Sequence, residues 1–332
     1  MNYPPEFLKF LSDNEIDPSF YQTEIPKFFF ITDSSLTKQD ISEDIPGATE
    51  CAVVPRCFSV PSFFQFRNSR LYLEGKLIPI DAASIMGAFA LDLQKDDDVL
   101  DLCCAPGAKL VVLSCLLCEL QGDGSVTGVD LSKTRLEVCR ALVTKYRLSR
   151  IRLFLEDGCR FNVPPHTILP HSRASPFAYT KLSKPFHSTS EYRKRPGIVE
   201  DMRLYDKVLV DAPCTHDGSI KHVQELFKCN WKSFDCHSLA PESLSDLYEL
   251  QYRLLEQAFT LVKPEGLIVY STCSLSRFQN EAIVGRLLDR YKDQITPKPL
   301  PEYISSTGSP SAIIHPLTHG CGALFIALLI KR

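Results

Sequence analysis

VLDLCCAPGAKLVVLSCLLCEL, residues 99–120, is the stretch on which the fold turns. Its first six residues form a short apolar run suited to a strand buried on both faces of a sheet, and Leu110 to Leu120 is an apolar run of helical length. Between them Ala105, Pro106 and Gly107 make a turn that lets the backbone approach a ligand closely and aims the first amides of a helix toward it. The same alternation repeats outward from here. SVTGVD (Ser125 to Asp130) reads as the second strand, and a helix beginning near Ser132 puts Leu136, Cys139, Val143 and Tyr146 on one face. IRLFLED (Ile151 to Asp157), KVLVDAP (Lys207 to Pro213), GLIVYSTC (Gly266 to Cys273) and Leu324 to Ile330 supply further strands. Strands alternating with helices predict an α/β fold with a mixed, mostly parallel sheet and helices on both faces.

Residues 1–77 lack this alternation. They read as a small N-terminal α+β segment, with an apolar start at Phe7, Leu8 and Leu11 and strand-like runs at Phe28 to Thr32 and Leu71 to Leu73. Residues 78–332 form the main domain. Within it, residues 161–200 carry six prolines, three histidines and six Lys or Arg, including Arg193, Lys194 and Arg195, against two Glu, which predicts an insertion loop.

Composition narrows the setting. Among 332 residues, 44% are hydrophobic and 23% charged, the balance of a folding globular chain rather than a disordered one. No apolar run is long enough to span a membrane and no leader peptide is evident, so an intracellular protein is expected. Thirteen scattered cysteines point to reduced thiols rather than a disulfide framework. Cys115 and Cys118 lie on an apolar helix without partners at zinc spacing, and no metal is expected. The net charge of −3 excludes a uniformly basic surface, so any contact with nucleic acid must come from local patches.

Two sets of residues carry chemistry. Asp130 follows Gly107 by 23 residues at the end of the second strand, the position of an acid that accepts hydrogen bonds from ribose hydroxyls. Asp157, at the end of the third strand, is placed to hold an adenine amino group. The pocket is therefore one for a nucleoside. The full G-x-G-x-x-G is absent, which disfavours a dinucleotide; S-adenosylmethionine, having no pyrophosphate, asks for less glycine. The second set is Cys214 in DAPCTHDG and Cys273 in STCSLSRFQNEAIV, both at the ends of neighbouring strands on the rim of that pocket. Cys103, Cys104, Cys115, Cys118, Cys139 and Cys159 read instead as core thiols.

Taken in order, VLDLCCAPGAK, DAPC, YSTCSLSRFQNEAIV and the terminal GALFIALLIK resemble the Sun/Fmu-type RNA (cytosine-5) methyltransferases over some three quarters of the chain, from Ile80 onward. The resemblance implies a Rossmann-like class I methyltransferase fold with S-adenosylmethionine as cofactor. It assigns Cys273 as the covalent nucleophile and Cys214 to release of the methylated RNA. Cofactor contacts fall on Cys103, Cys104, Ala105, Pro106, Gly107, Ala108, Lys109, Asp130, Asp157 and Asp211, and Arg135 matches a basic position after the ribose acid. Residues 1–77 correspond to a segment that helps grip RNA. Carbon 5 of cytosine becomes a nucleophile only after a thiolate adds at carbon 6, so a cysteine of depressed pKa suits the task. Asp211, holding a proton near ring nitrogen 3, would stabilise the charge that develops. A base must then remove the carbon 5 proton, which gives a second cysteine a purpose.

The expected partner is RNA, transfer RNA ahead of ribosomal RNA because of DAPCTHDGSIKH and Trp231, with no membrane and the chain acting as a monomer. Ala108 in place of a second glycine and Leu110 in place of Thr or Ser depart from the family pattern. They support an alternative, an RNA-binding or assembly factor without turnover. A nicotinamide-linked oxidoreductase on the same fold is a third reading, disfavoured by the missing glycines.

Overall fold

Pro5 opens the first helix, α1 (Pro5–Asp13), in the computed structural model, which describes residues 3–165 and 203–332. Proline suits this position because the N–H it lacks would have no partner in a first turn. Phe7, Phe10 and Leu11 are the buried stripe of α1, while Leu8 faces outward. The stripe packs with Ile220, Val223, Leu275 and Ala323, so the chain's first helix is docked on the main domain.

Four short strands follow: β1 (Lys27–Ile31), β2 (Thr49–Glu50), β3 (Cys57–Val60) and β4 (Leu77–Pro79). They form an antiparallel sheet in the order β2-β3-β1-β4, with α2 (Lys38–Asp44) and α3 (Arg70–Leu73) packed around Phe29, Ile31, Ile41 and Leu71. Leu71 to Leu73, expected as a strand, is helical. Ser69 accepts the Tyr72 amide at 3.1 Å, and the Asp44 carboxylate takes the Ser69 hydroxyl and the Arg70 and Leu71 amides. Three apolar letters carry no period, and the Ser at the cap decides. Because Pro79 pairs with Phe29, this sheet runs past residue 77.

After α4 (Ala82–Phe89) the large sheet begins. Its parallel part is built by β5 (Asp98–Asp101), α5 (Ala108–Glu119), β6 (Ser125–Asp130), α6 (Lys133–Lys145), β7 (Ile151–Leu155) and β8 (Tyr205–Asp211). Then come α7 (Ile220–Lys228), α8 (Pro241–Leu261), β9 (Val262–Thr272), α9 (Glu281–Tyr291), β10 (Ile295–Pro297), β11 (Ser311–Ile314), α10 (Pro316–His319) and β12 (Leu324–Lys331). The order is β10-β12-β9-β8-β5-β6-β7, parallel from β9 to β7 and antiparallel where β12 joins β9. β11 and β10 lie along the same edge of β12, β11 against Leu324 to Ala327 and β10 against Leu329 to Lys331.

Alternation along each strand splits the core between two faces. On β9, Leu267 and Val269 join Ile85, Val111 and Leu136 on one side. Ile268 and Tyr270 join Leu255, Phe259 and Leu287 on the other. The sheet is thus covered by α4, α5 and α6 on one face and by α8 and α9 on the other. The chain crosses from β5 to β6 on one side and returns to β8 on the other, which makes the carboxyl ends of β5 and β8 the crevice of the sheet. β5 is shorter as a regular strand than the expected run to Cys104: Asp101 Oδ1 accepts the Cys103 amide at 3.2 Å, while the Leu102 amide still donates to the Leu209 carbonyl at 3.1 Å and the Cys104 amide to the Val129 carbonyl at 3.0 Å. The greater part of the expected insertion loop, with Arg193, Lys194 and Arg195, lies outside the described residues. Among the described residues no helix is long and apolar enough to cross a membrane.

Candidate active site

The carboxyl ends of β5 to β9 open on a cleft of about 1790 Å³. Its first wall is the turn after β5, where the Ala105–Pro106 peptide is cis and Gly107 opens α5 at φ +107°. A side chain at Gly107 would be strained there, and its Cβ would stand 3.2 Å from Cys139 Cα and Sγ. Asp130, at the end of β6, accepts the Ala105 amide at 3.3 Å and the Ser132 amide at 2.8 Å. Arg135 closes the corner by donating to the Ala105 carbonyl, with its guanidinium 3.8 Å from Asp130. Asp157 lies beyond β7 and accepts the Cys159 amide at 2.9 Å.

Of the residues expected to touch the cofactor, Cys103, Ala105, Pro106, Lys109, Asp130, Arg135, Asp157 and Asp211 line this cleft. Cys104 is buried against Cys139, Gly107 shapes the turn from behind, and Ala108 packs on the core. Leu110 is likewise fully buried and does not face the cleft. The two departures from the family pattern therefore alter packing beneath the turn rather than the wall that a ligand would meet.

Asp211 ends β8 and holds the middle of the cleft. Its Oδ2 accepts from Lys109 Nζ at 2.6 Å and its Oδ1 from Ser271 Oγ at 2.8 Å. Burial works against the Lys109 charge, yet Asp211 and Asp101 beside it hold its pKa above the ordinary lysine value. Asp101 lies beneath, 1% exposed, and burial together with the Asp211 charge pushes it up to about 7.

The thiols come together because β8 and β9 are parallel neighbours with Asp211 opposite Ser271. Two residues past each of these, or a little more, the chain presents Cys214 and Cys273, whose sulfurs are 3.3 Å apart. His216 completes the group, with Nδ1 2.9 Å from the Cys273 sulfur and 3.8 Å from that of Cys214. The Cys273 thiol held against it, and then His216, keep Cys214 well below the ordinary thiol value. Cys214 beside it and burial push Cys273 well above. The pair therefore ionises once with ease and a second time with difficulty. The depressed pKa expected of the nucleophile falls on its neighbour, and a single negative charge is available to be shared across 3.3 Å.

Several residues that the sequence analysis did not single out hold this arrangement. His216 is in the left-handed region at φ +56°, and the next residue, Asp217, is buried with its carboxylate accepting the Thr215 hydroxyl and, at 2.8 Å, the Leu275 amide. Gly218 donates its amide to the Cys273 carbonyl at 3.0 Å. Gln279 accepts the Thr215 amide at 3.2 Å and donates to the Thr215 hydroxyl at 2.8 Å. Asn280 accepts the Thr272 hydroxyl at 2.6 Å and donates to the Ser274 carbonyl at 2.9 Å. Both cysteine loops are thus tied to each other through buried polar side chains. Asp81, capping α4 and accepting the Gly322 amide at 2.9 Å, joins the cleft from below. Sequence offered one usable signal, the pair Thr215 and His216 directly after a Pro-Cys turn; the rest depends on which strands are neighbours. The expectation of no metal rested on spacing along the chain, whereas Cys214, His216 and Cys273 present donor atoms within 4.8 Å of one another.

Comparison with known proteins bears on the whole arrangement. The chain is 26% identical over 267 residues to ribosomal RNA small subunit methyltransferase F of Klebsiella pneumoniae (strain 342), covering 78% of this chain and 46% of that protein. The protein of the same name from Escherichia coli O9:H4 (strain HS) gives the same figures. The chain spans about half the length of these curated relatives. Among solved structures, a methyltransferase homolog protein from Pyrococcus horikoshii superposes with a TM-score of 0.65 at 20% identity, covering 99% of this chain and 100% of that one. NSun6 from Pyrococcus horikoshii superposes with 0.68 at 14%, covering 99% and 98%. These last two likenesses establish the fold. A family model described as 16S rRNA methyltransferase RsmB/F matches residues 88–168 and 186–330, a span that takes in the turn at Gly107, both cysteine loops and the sheet that joins them. The chain belongs to the RsmB/F methyltransferase family.

Proposed function

We propose that this chain transfers a methyl group from S-adenosylmethionine to carbon 5 of cytosine in RNA, with Cys273 as the covalent nucleophile and Cys214 assisting release. One observation carries the reading: two sulfurs 3.3 Å apart face the same cleft as Asp130, Asp157 and Asp211. Three carboxylates around a close-approach turn suit a nucleoside that bears net positive charge. S-adenosylmethionine supplies, when bound, a methyl group on a sulfonium that a carbon nucleophile can take.

The chain's own part follows from geometry. As the Cys273 sulfur bonds to carbon 6 of the base, its proton passes to Cys214, the sulfur beside it. Electron density moves to carbon 5, and Asp211, held by Lys109 and Ser271, faces the polar edge of the ring. After methylation the carbon 5 proton leaves to a base, the carbon 5–carbon 6 double bond re-forms, and Cys273 departs as thiolate. A lone cysteine could attack; the pair gives both the attack and the release a partner.

RNA has a path to the thiols. The cleft continues past Lys221 and Lys228 to Lys27, Phe63 and Arg67 of the N-terminal segment, and Phe63 is 79% exposed. Cations there would meet phosphates and the exposed ring a base, which gives the N-terminal segment the RNA-gripping part. The curated relatives are named for ribosomal RNA of the small subunit, which makes it the first substrate to test; transfer RNA, favoured by DAPCTHDGSIKH, is the second.

The test is bisulfite sequencing of ribosomal and transfer RNA after incubation with the chain and S-adenosylmethionine. Cys273→Ala should abolish the new 5-methylcytosine, and Cys214→Ala should leave protein covalently trapped on RNA. Full methylation by Cys273→Ala would overturn the assignment. Absence of any heat of binding with S-adenosylmethionine would favour the scaffold reading instead.

A further inference from the structure

We infer that Cys214, His216 and Cys273 form a three-donor site for a soft divalent cation such as Zn²⁺ or Cd²⁺, and that a cation held there blocks the thiol chemistry. The blocking effect rests on the function proposed above; the binding itself does not.

The donors converge from two loops 59 residues apart in sequence. Tetrahedral zinc with bonds of about 2.3 Å to sulfur and about 2.0 Å to nitrogen separates two sulfurs by about 3.8 Å and a sulfur from a nitrogen by about 3.5 Å. The observed separations are 3.3 Å between the sulfurs, 3.8 Å from Nδ1 to Cys214 and 2.9 Å from Nδ1 to Cys273. The sulfurs need to part by about 0.5 Å and the imidazole to swing away from Cys273 by about 0.6 Å, movements within the reach of side-chain torsions. Each donor type suits the same metals, since thiolate and imidazole both favour zinc and its heavier congener over magnesium or calcium.

The backbone that carries the donors is held in place before any cation arrives. Asp217, directly after His216, is anchored by the Thr215 hydroxyl and the Leu275 amide, and Gly218 is anchored to the Cys273 carbonyl. His216 keeps a left-handed backbone that aims its ring back at the two sulfurs. All three residues line the cleft, so the fourth coordination position faces the solvent path by which a metal or a water would enter. Binding forms two sulfur–metal bonds, and the one proton that the pair still holds is released to solvent. Because Cys273 would then be bonded to the cation, its sulfur cannot at the same time bond to carbon 6 of a pyrimidine.

The experiment uses the full chain, reduced and stripped of metal, titrated with Cd²⁺ while the thiolate-to-metal charge-transfer band is followed in the ultraviolet. Zn²⁺ affinity is then read by competition with a chromophoric chelator. One tight equivalent per chain is expected, lost in Cys214→Ser and in Cys273→Ser, and weakened by at least the ~10–100-fold that loss of a supporting group costs in His216→Ala. Circular dichroism of each variant confirms that it is folded, and Cys118→Ser and Cys229→Ser, both at exposed thiols, should bind as the wild type does. The inference is overturned if no tight equivalent exists, if the Cys214→Ser, Cys273→Ser double variant keeps it, or if His216→Ala binds unchanged. In RNA methylation, Zn²⁺ should inhibit and a chelator restore activity. Inactivity with every RNA would sink the proposed function and leave the spectral titration standing.

Discussion

Gly218→Ala puts the coupling of the two cysteine loops to a direct test. Gly218 has a φ outside the left-handed region, so alanine costs nothing in backbone conformation there; the obstacle is space. A Cβ at 218 would stand 2.5 Å from the Cys273 carbonyl oxygen and 2.8 Å from Ala323 Cβ. Carbon–oxygen contacts rarely come closer than about 3.3 Å, so the oxygen of Cys273 must retreat by roughly 0.8 Å. Neither neighbour is the free end of a flexible side chain. Overpacking of this kind costs ~1–3 kcal/mol of stability. The hydrogen bond from Gly218 to Cys273, 3.0 Å in the wild type, is stretched or lost in the same movement. Misplacement of a reacting group by about 1 Å lowers rates on the order of 100-fold, so methyl transfer in a single turnover should fall by that order. Affinity for S-adenosylmethionine should stay within about twofold, since Asp130 ends β6, Asp157 follows β7, and the cofactor gains no differential contact. Single-turnover transfer of labelled methyl, calorimetry with the cofactor, and urea unfolding read the three quantities separately. A variant with wild-type single-turnover rate and a lowered unfolding midpoint would refute the claim that the Cys273 backbone is held in place through Gly218.

Lys109→Met removes the ammonium from Asp211; a fully buried pair broken this way costs ~3–5 kcal/mol, and the partial exposure of Asp211 reduces the expected loss to roughly 2–3 kcal/mol in urea unfolding. A loss within experimental error would show that Asp211 is solvated well enough without its partner. Asp101, pushed up to about 7, keeps its proton in the folded protein from about pH 4 to about pH 7 while the unfolded chain has already released it, so this group makes the wild type lose stability as pH rises through that window. Asp101→Asn should flatten the slope, by at most ~4 kcal/mol between pH 4 and pH 8, and an unchanged slope would remove burial as the cause. Asn280→Ala removes the acceptor of the Thr272 hydroxyl and the side-chain donor to the Ser274 carbonyl at a site of no exposure, leaving them the weaker 3.5 Å contact with each other, and ~1–3 kcal/mol should be lost, measured as a fall in the urea midpoint at constant slope.

The strands β5 to β9 and β12 and the helices α5 and α6 were legible because each has its own local cause: apolar runs of strand length, a serine cap at Ser132, and a glycine at 107 where the backbone needs a positive φ. Boundaries were less legible. Regular pairing of β5 ends at Asp101, where a carboxylate takes the Cys103 amide although the Leu102 and Cys104 amides still reach the neighbouring strands, and residues 71–73 are helical because Ser69 and Asp44 cap them. In the N-terminal segment, Phe7 and Leu11 showed a periodic face, but what that face covers, Ile220 and Leu275, lies more than two hundred residues away. No local pattern records such a partner.

The cysteines at the ends of neighbouring strands, the close-approach turn and the acids at the strand ends are properties of sequence, since each follows from residue type and position within one element. Adjacency in space was decided elsewhere. That the sulfurs lie 3.3 Å apart depends on the register of β8 against β9, and the third donor enters because His216 takes a left-handed backbone behind Cys214. Which thiol ionises first, how far Asp101 is raised, and how Lys109 keeps its charge are collective electrostatic results. They arise from desolvation and from charges on separate strands, and those are set only when the sheet has formed.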